Sequence, residues 1–124
     1  MPVLNAPSGP THELPGTTFT SLATPTLGST ETSVWKVSIA AGTDPTPHTL
    51  TRGEVFLVLE GTASVRIGES MQHATTGDVI IVPADTHFEL SNAGDTTLEA
   101  ICCMPVGGQA RIGDGEAFTP PWAL

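Results

Sequence analysis

Hydrophobic and polar positions alternate along much of the chain. From Thr32 to Ala40, Ser33, Trp35, Val37 and Ile39 fall on one side and Val34, Lys36 and Ser38 on the other, the period of two that a half-buried strand requires. Leu98 to Met104 repeats the pattern, with Leu98, Ala100, Cys102 and Met104 opposite Glu99, so Cys102 is expected to point inward. The run Glu54 to Glu60 is apolar on both faces: Phe56 and Val58 on one, Val55, Leu57 and Leu59 on the other. That predicts cover on both sides, by a second sheet and by a partner subunit. Further strands are expected over Thr17–Ala23, His48–Thr51, Thr62–Ile67, Met71–Ala74, Asp78–Val82 and Thr86–Ser91. No window sustains a helical period. Short strands separated by Gly and Pro turns predict an all-β sandwich or jelly roll.

A chain of 124 residues is the size of one domain. The expected division is an irregular N-terminal arm over residues 1–16, a β-barrel over 17–106, and a tail over 107–124 that packs on the barrel or a partner through Trp122. Four Lys and Arg against thirteen Asp and Glu give a net charge of −9, which repels phosphate backbones and anionic bilayers, so neither nucleic acid nor membrane is an expected partner. No apolar run approaches the roughly 20 residues of a membrane span, and the N-terminal residues lack the pattern of a secretory leader. Cys102 and Cys103 are adjacent, point to opposite faces of a strand and make a poor disulfide. A reducing, cytoplasmic setting is expected.

Two stretches carry chemistry. In GTDPTPHTLTRGEVFLVLEG, Gly42, His48, Glu54 and Gly61 resemble the first cupin motif, G-x5-H-x-H-x3-4-E-x6-G, with Leu50 in place of the second histidine. In GDVIIVPADTHFELSN, Gly77, Pro83 and Asn92 resemble the second motif, G-x5-P-x-G-x2-H-x3-N, with Asp85 for the glycine and Phe88 for the histidine. The chain is also similar to small bacterial single-domain cupins that end in a PPWA tail and lack the complete ligand set. The resemblance implies a cupin double-stranded β-helix, a jelly-roll barrel, usually homodimeric. It further implies a family that commonly holds Mn, Fe, Ni, Zn or Cu on three histidines and a glutamate. Its activities run from dioxygenases to isomerases, lyases and cyclases, beside non-enzymatic sensors; fold alone does not choose among them.

On the residues themselves, His48 and Glu54 are the catalytic candidates. A carboxyl among Val and Phe must be paired, coordinated or neutralised. With hydrocarbon at Leu50 and Phe88, the leading expectation is a mostly apolar pocket that binds a small organic ligand. Trp35, Leu50, Arg52, Phe56, Phe88 and Cys102 would touch that ligand, and His48 and Glu54 would serve non-redox acid–base chemistry of the isomerase, cyclase or lyase type. No cofactor is firmly implied. The alternative is a weakly held divalent metal (Zn, Mn, Fe or Ni) on His48, Glu54 and a His87 displaced into the pocket by a bulge, in a dioxygenase or Lewis-acid enzyme. A non-enzymatic sensor or interaction module is the third reading.

Overall fold

A computed structural model describes residues 3–124; the first two residues of the expected arm lie outside that span. The strands are β1 (His12–Leu14), β2 (Thr17–Ala23), β3 (Thr32–Ile39), β4 (Thr49–Leu50), β5 (Glu54–Glu60), β6 (Thr62–Ile67), β7 (Ser70–Thr75), β8 (Val79–Val82), β9 (Phe88–Asn92), β10 (Leu98–Pro105) and β11 (Ala110–Arg111). Helical geometry among the described residues is confined to two single 3₁₀ turns, at Pro25–Leu27 and Pro121–Ala123. The fold is all-β, a single jelly-roll barrel. One correction concerns the arm: it is not irregular throughout, because His12–Leu14 pairs antiparallel with Thr17–Phe19 across the turn at Gly16.

Six strands form the large sheet in the order β1-β2-β3-β10-β5-β8. Facing it are the three-stranded β7-β6-β9 and the two-stranded β11-β4. Mutual backbone bonds between His48 and Phe88, 3.0 Å in each direction, join these two pieces into one wall. Trp35, Val37, Phe56, Val58, Ala100 and Cys102 from the large sheet meet Leu50, Ala63, Val65 and Phe88 from the other, making one apolar core between them. The faces follow the alternation: residues 33, 35, 37 and 39 of β3 and 98, 100, 102 and 104 of β10 are all buried.

Two backbone features hold the loops that aim the site. Gly61 has φ +88°, and a Cβ there would come within 2.9 Å of the Thr97 carbonyl, so a side chain is excluded. Asp85 stands where the motif has glycine yet keeps the left-handed backbone, with φ 59°; Asp tolerates this conformation better than most residues. Its N–H donates to the Leu50 carbonyl at 2.8 Å. Asn92 ties β9 to the large sheet, its Nδ2 donating to the Ile39 carbonyl at 2.9 Å and to that of Thr96 at 2.7 Å.

Among the described residues nothing covers the outer face of β5. Val55 lies opposite Ile81 and Leu57 opposite Val79, and all four are exposed. Among the described residues no helix is long and apolar enough to cross a membrane.

Candidate functional site

Pro45 and Pro47 keep the loop after β3 extended, since a residue before proline is driven from the helical region. The loop delivers His48 to its bridge with Phe88, where the imidazole lies against the Phe88 ring at 4.3 Å between centroids. Its Nδ1 is 2.8 Å from the Thr46 carbonyl. A carbonyl can only accept, so Nδ1 carries the proton and Nε2 of the neutral ring is left as an acceptor. Burial lowers the pKa of His48, partly countered by that hydrogen bond.

Glu54 opens β5 on its inward face and is 5% exposed. Its neighbours on that face are Phe56 and Val58, and no hydrogen bond from the described residues reaches its carboxyl. Burial alone pushes its pKa up to about 8. At neutral pH it is therefore mainly a protonated acid that can donate.

His48 and Glu54 line one cavity of about 460 Å³ between the two walls. Trp35, Leu50, Phe56, Phe88 and Cys102, all expected at the pocket, line it too. Cys102 is buried; its thiol is pushed well above its usual pKa by burial first and then by the nearby Glu54 and Cys103 charges, so it is an inert wall.

Two expected residues are not brought to the site. Arg52 sits exposed in the turn between β4 and β5, outside the cavity, because no strand alternation directs a turn residue inward. His87 is exposed and does not line the cavity. The bulge that would turn it inward is absent: β6 and β9 pair without a slip from Ile67↔Phe88 to Ala63↔Asn92. With that register Phe88, 1% exposed, takes the interior and His87 the outside.

Sequence reasoning missed part of the wall. Phe19, Met104 and Phe118 line the cavity, and Trp122 closes it by stacking on Phe19 at 3.6 Å, the rings 4° from parallel. The tail is pinned there by two hydroxyls, Ser21 Oγ donating to the Trp122 carbonyl at 2.8 Å and Ser33 Oγ to that of Ala123 at 2.9 Å. Alternation already puts Met104 on the inward face of β10, and carried along β2 it places Phe19 as well. A two-residue strand such as β11, and the isolated pairing of Phe118 with Ala110, leave no periodic trace.

The residues present do not make the metal centre that the fold family commonly carries. His48 and Glu54 are joined by hydrocarbon at Leu50 and Phe88, and among the described residues no three His, Cys, Asp or Glu side chains converge on one point. Catalytic zinc and non-haem iron sites use three protein ligands.

Comparison with known proteins bears on family and fold. A model of the cupin domain family matches residues 35–104. No curated protein matches the sequence. Among solved structures, a gentisate adduct of salicylate 1,2-dioxygenase from Pseudoaminobacter salicylatoxidans superposes with a TM-score of 0.72 at 19% identity, over 86% of this chain and 31% of that one. KdgF from Halomonas sp. gives 0.67 at 18% identity, over 78% of this chain and 86% of its own. The cupin domain of Schizosaccharomyces pombe Cnp3 gives 0.60 at 17%, over 73% and 64%. The chain thus spans about a third of the dioxygenase's length. At these identities the likeness is one of fold.

Proposed function

The chain belongs to the cupin domain family, and from that premise we propose that its barrel binds a small, mostly apolar organic molecule and acts on it by proton transfer without redox chemistry. The observation that carries this reading is the placement of two polar side chains, His48 and Glu54, in one mostly apolar cavity. His48 is neutral with Nε2 free to accept, and Glu54 is protonated and free to donate. Among the described residues no partner bonds Nε2 of His48 or the carboxyl of Glu54.

On a substrate with a C–H next to a carbonyl, His48 Nε2 takes the carbon-bound proton while Glu54 gives its proton to the carbonyl oxygen. The products of that step are an enol, an imidazolium and a carboxylate. Where a C=C double bond adjoins that C–H, return of the imidazolium proton to the far carbon of the conjugated dienol, with the enol O–H passing back to Glu54, yields the double-bond isomer and restores both side chains. Ring closure or elimination can proceed from the same enol. The surrounding hydrocarbon excludes water from the step.

The partner that fits the outer face of β5 and β8 is a second copy of this chain. Two copies with a net charge of −9 repel wherever charged surfaces meet, and the exposed set Val55, Leu57, Val79 and Ile81 is free of charge.

The test is metal content together with ligand response. Tag-free protein should hold less than about 0.1 equivalent of any transition metal by elemental mass spectrometry, as two donors bind weakly. A metal near one equivalent, lost in His48→Ala, would replace the acid–base reading with the metal-dependent one. A ligand that binds without turnover, with an affinity untouched by both His48→Ala and Glu54→Leu, would leave a non-enzymatic binding module.

A further inference from the structure

The cavity also carries information about the charge of what it binds. Resting on the acid–base reading of this site, we propose that the ligand is an uncharged apolar molecule presenting one carbonyl-type oxygen to Glu54, and that carboxylates and other anions are excluded. Three observations lead there.

First, among the described residues no Lys or Arg lines the cavity. The chain has four Lys and Arg residues. Lys36 projects from the outer face of β3, Arg52 and Arg111 are exposed, and Arg66 reaches Glu89 at 3.7 Å on the outside of the smaller sheet. An anion entering this space would find no counter-charge. The one charged group at the cavity mouth, Asp44, repels it. Burying an unpaired carboxylate is among the costliest substitutions of environment available to a ligand.

Second, the deepest polar group is a donor without an acceptor. Glu54 is 5% exposed, and no hydrogen bond from the described residues reaches its carboxyl. A buried O–H needs an acceptor, and a carbonyl oxygen supplies one without adding charge. The ionisable groups around it are His48 from the β3–β4 loop and Cys102 and Cys103 from β10, none of which is charged at neutral pH.

Third, the remaining wall is ring-rich. Phe19, Trp35, Phe56, Phe88, Phe118 and Trp122 supply flat apolar surface and no further donors except the two indole N–H groups.

Rings could also hold a cation above a Glu54 carboxylate. The two possibilities respond to pH in opposite directions. An uncharged acceptor needs protonated Glu54 and weakens above pH 8; a cation needs the carboxylate and tightens there.

The experiment is isothermal calorimetry on the full chain with three probes of one shape: benzylacetone, hydrocinnamate and phenylpropylammonium, from pH 6 to 9.5. Benzylacetone should bind at least ~100-fold more tightly than hydrocinnamate at pH 7, given the cost of an unpaired buried carboxylate. Its affinity should fall about tenfold per pH unit above about 8, the range where Glu54 ionises. In Glu54→Gln, which keeps a donor that cannot ionise, that fall should vanish. Hydrocinnamate binding as well as the ketone would overturn the exclusion of anions. The ammonium binding best, and tightening with pH, would replace the uncharged ligand with a cation. If none of the three binds even at millimolar concentration, the pocket reading itself fails, and not only the ligand class.

Discussion

The two faces of β5 are almost equally hydrophobic and have opposite fates. Inward, Phe56 and Val58 are 5% and 1% exposed and belong to the core. Outward, Val55 and Leu57 remain 40% and 38% exposed, beside Val79 and Ile81 of the edge strand β8. The polar group is distributed against intuition, since Glu54 lies on the dry side. Hydrophobicity therefore does not tell the core from the surface on this strand. The buried carboxyl does, because a cost of that kind is retained at a site rather than at an interface.

The comparison is broken most severely by cutting the inner wall. Phe88→Ala should lower stability by about 3–5 kcal/mol, the range for removing a buried ring. Leu57→Ala on the outer face should cost less than about 1 kcal/mol in the monomer. Urea unfolding of both variants at low protein concentration measures the contrast. Equal losses would show that the outer face is as tightly packed as the inner one, contrary to its exposure.

The next effect belongs to Glu54 alone and has a definite sign. Its folded pKa is raised by burial to about 8 from 4.5, so between those values the unfolded chain has released a proton that the folded chain keeps. Stability contributed this way is full below pH 4.5 and is lost as pH rises towards 8. His48 works in the other direction: its folded pKa is lowered below 6.5, so its contribution is present above 6.5 and is lost as pH falls. The two offset each other below pH 6.5, and above it only the Glu54 loss remains. Between pH 6.5 and 8 the protein should lose about 2 kcal/mol of stability or less, while Glu54→Gln should stay level. Thermal melts across that interval decide it. A wild-type curve as flat as that of the variant would mean the carboxyl is solvated or paired.

How much of this was legible follows from what each residue reports. β2, β5 and β6 have the bounds their alternation predicts, and the inward faces of β3 and β10 fall where period two puts them. The motif residues at Gly61, Asp85 and Asn92 are legible because each does a backbone task that local sequence encodes. His48 and Glu54 stand out by spacing, and both line the cavity. His87 and Arg52 were misplaced because a one-residue register choice and a turn direction are settled by pairing across strands distant in the chain. The same holds for the far wall: Trp122 meets Phe19 only after the whole barrel has closed, and no local pattern announces that contact.

The smallest effect on the monomer tests the outer face itself. A Val55→Thr, Ile81→Thr double variant replaces two exposed apolar residues that stand opposite each other, and surface changes of this kind shift monomer stability by about 0.5 kcal/mol or less. If a second copy covers this face, the variant should nonetheless sediment as a monomer at concentrations where the parent is a dimer. The parent's melting temperature should rise with concentration while that of the variant should not, because association stabilises the fold by mass action. A parent that sediments as a monomer at all concentrations would leave this apolar face without the partner assigned to it. A variant that stays dimeric would move the interface elsewhere. In either case the inner face keeps its role, since His48 and Glu54 line a cavity whose walls all come from one chain.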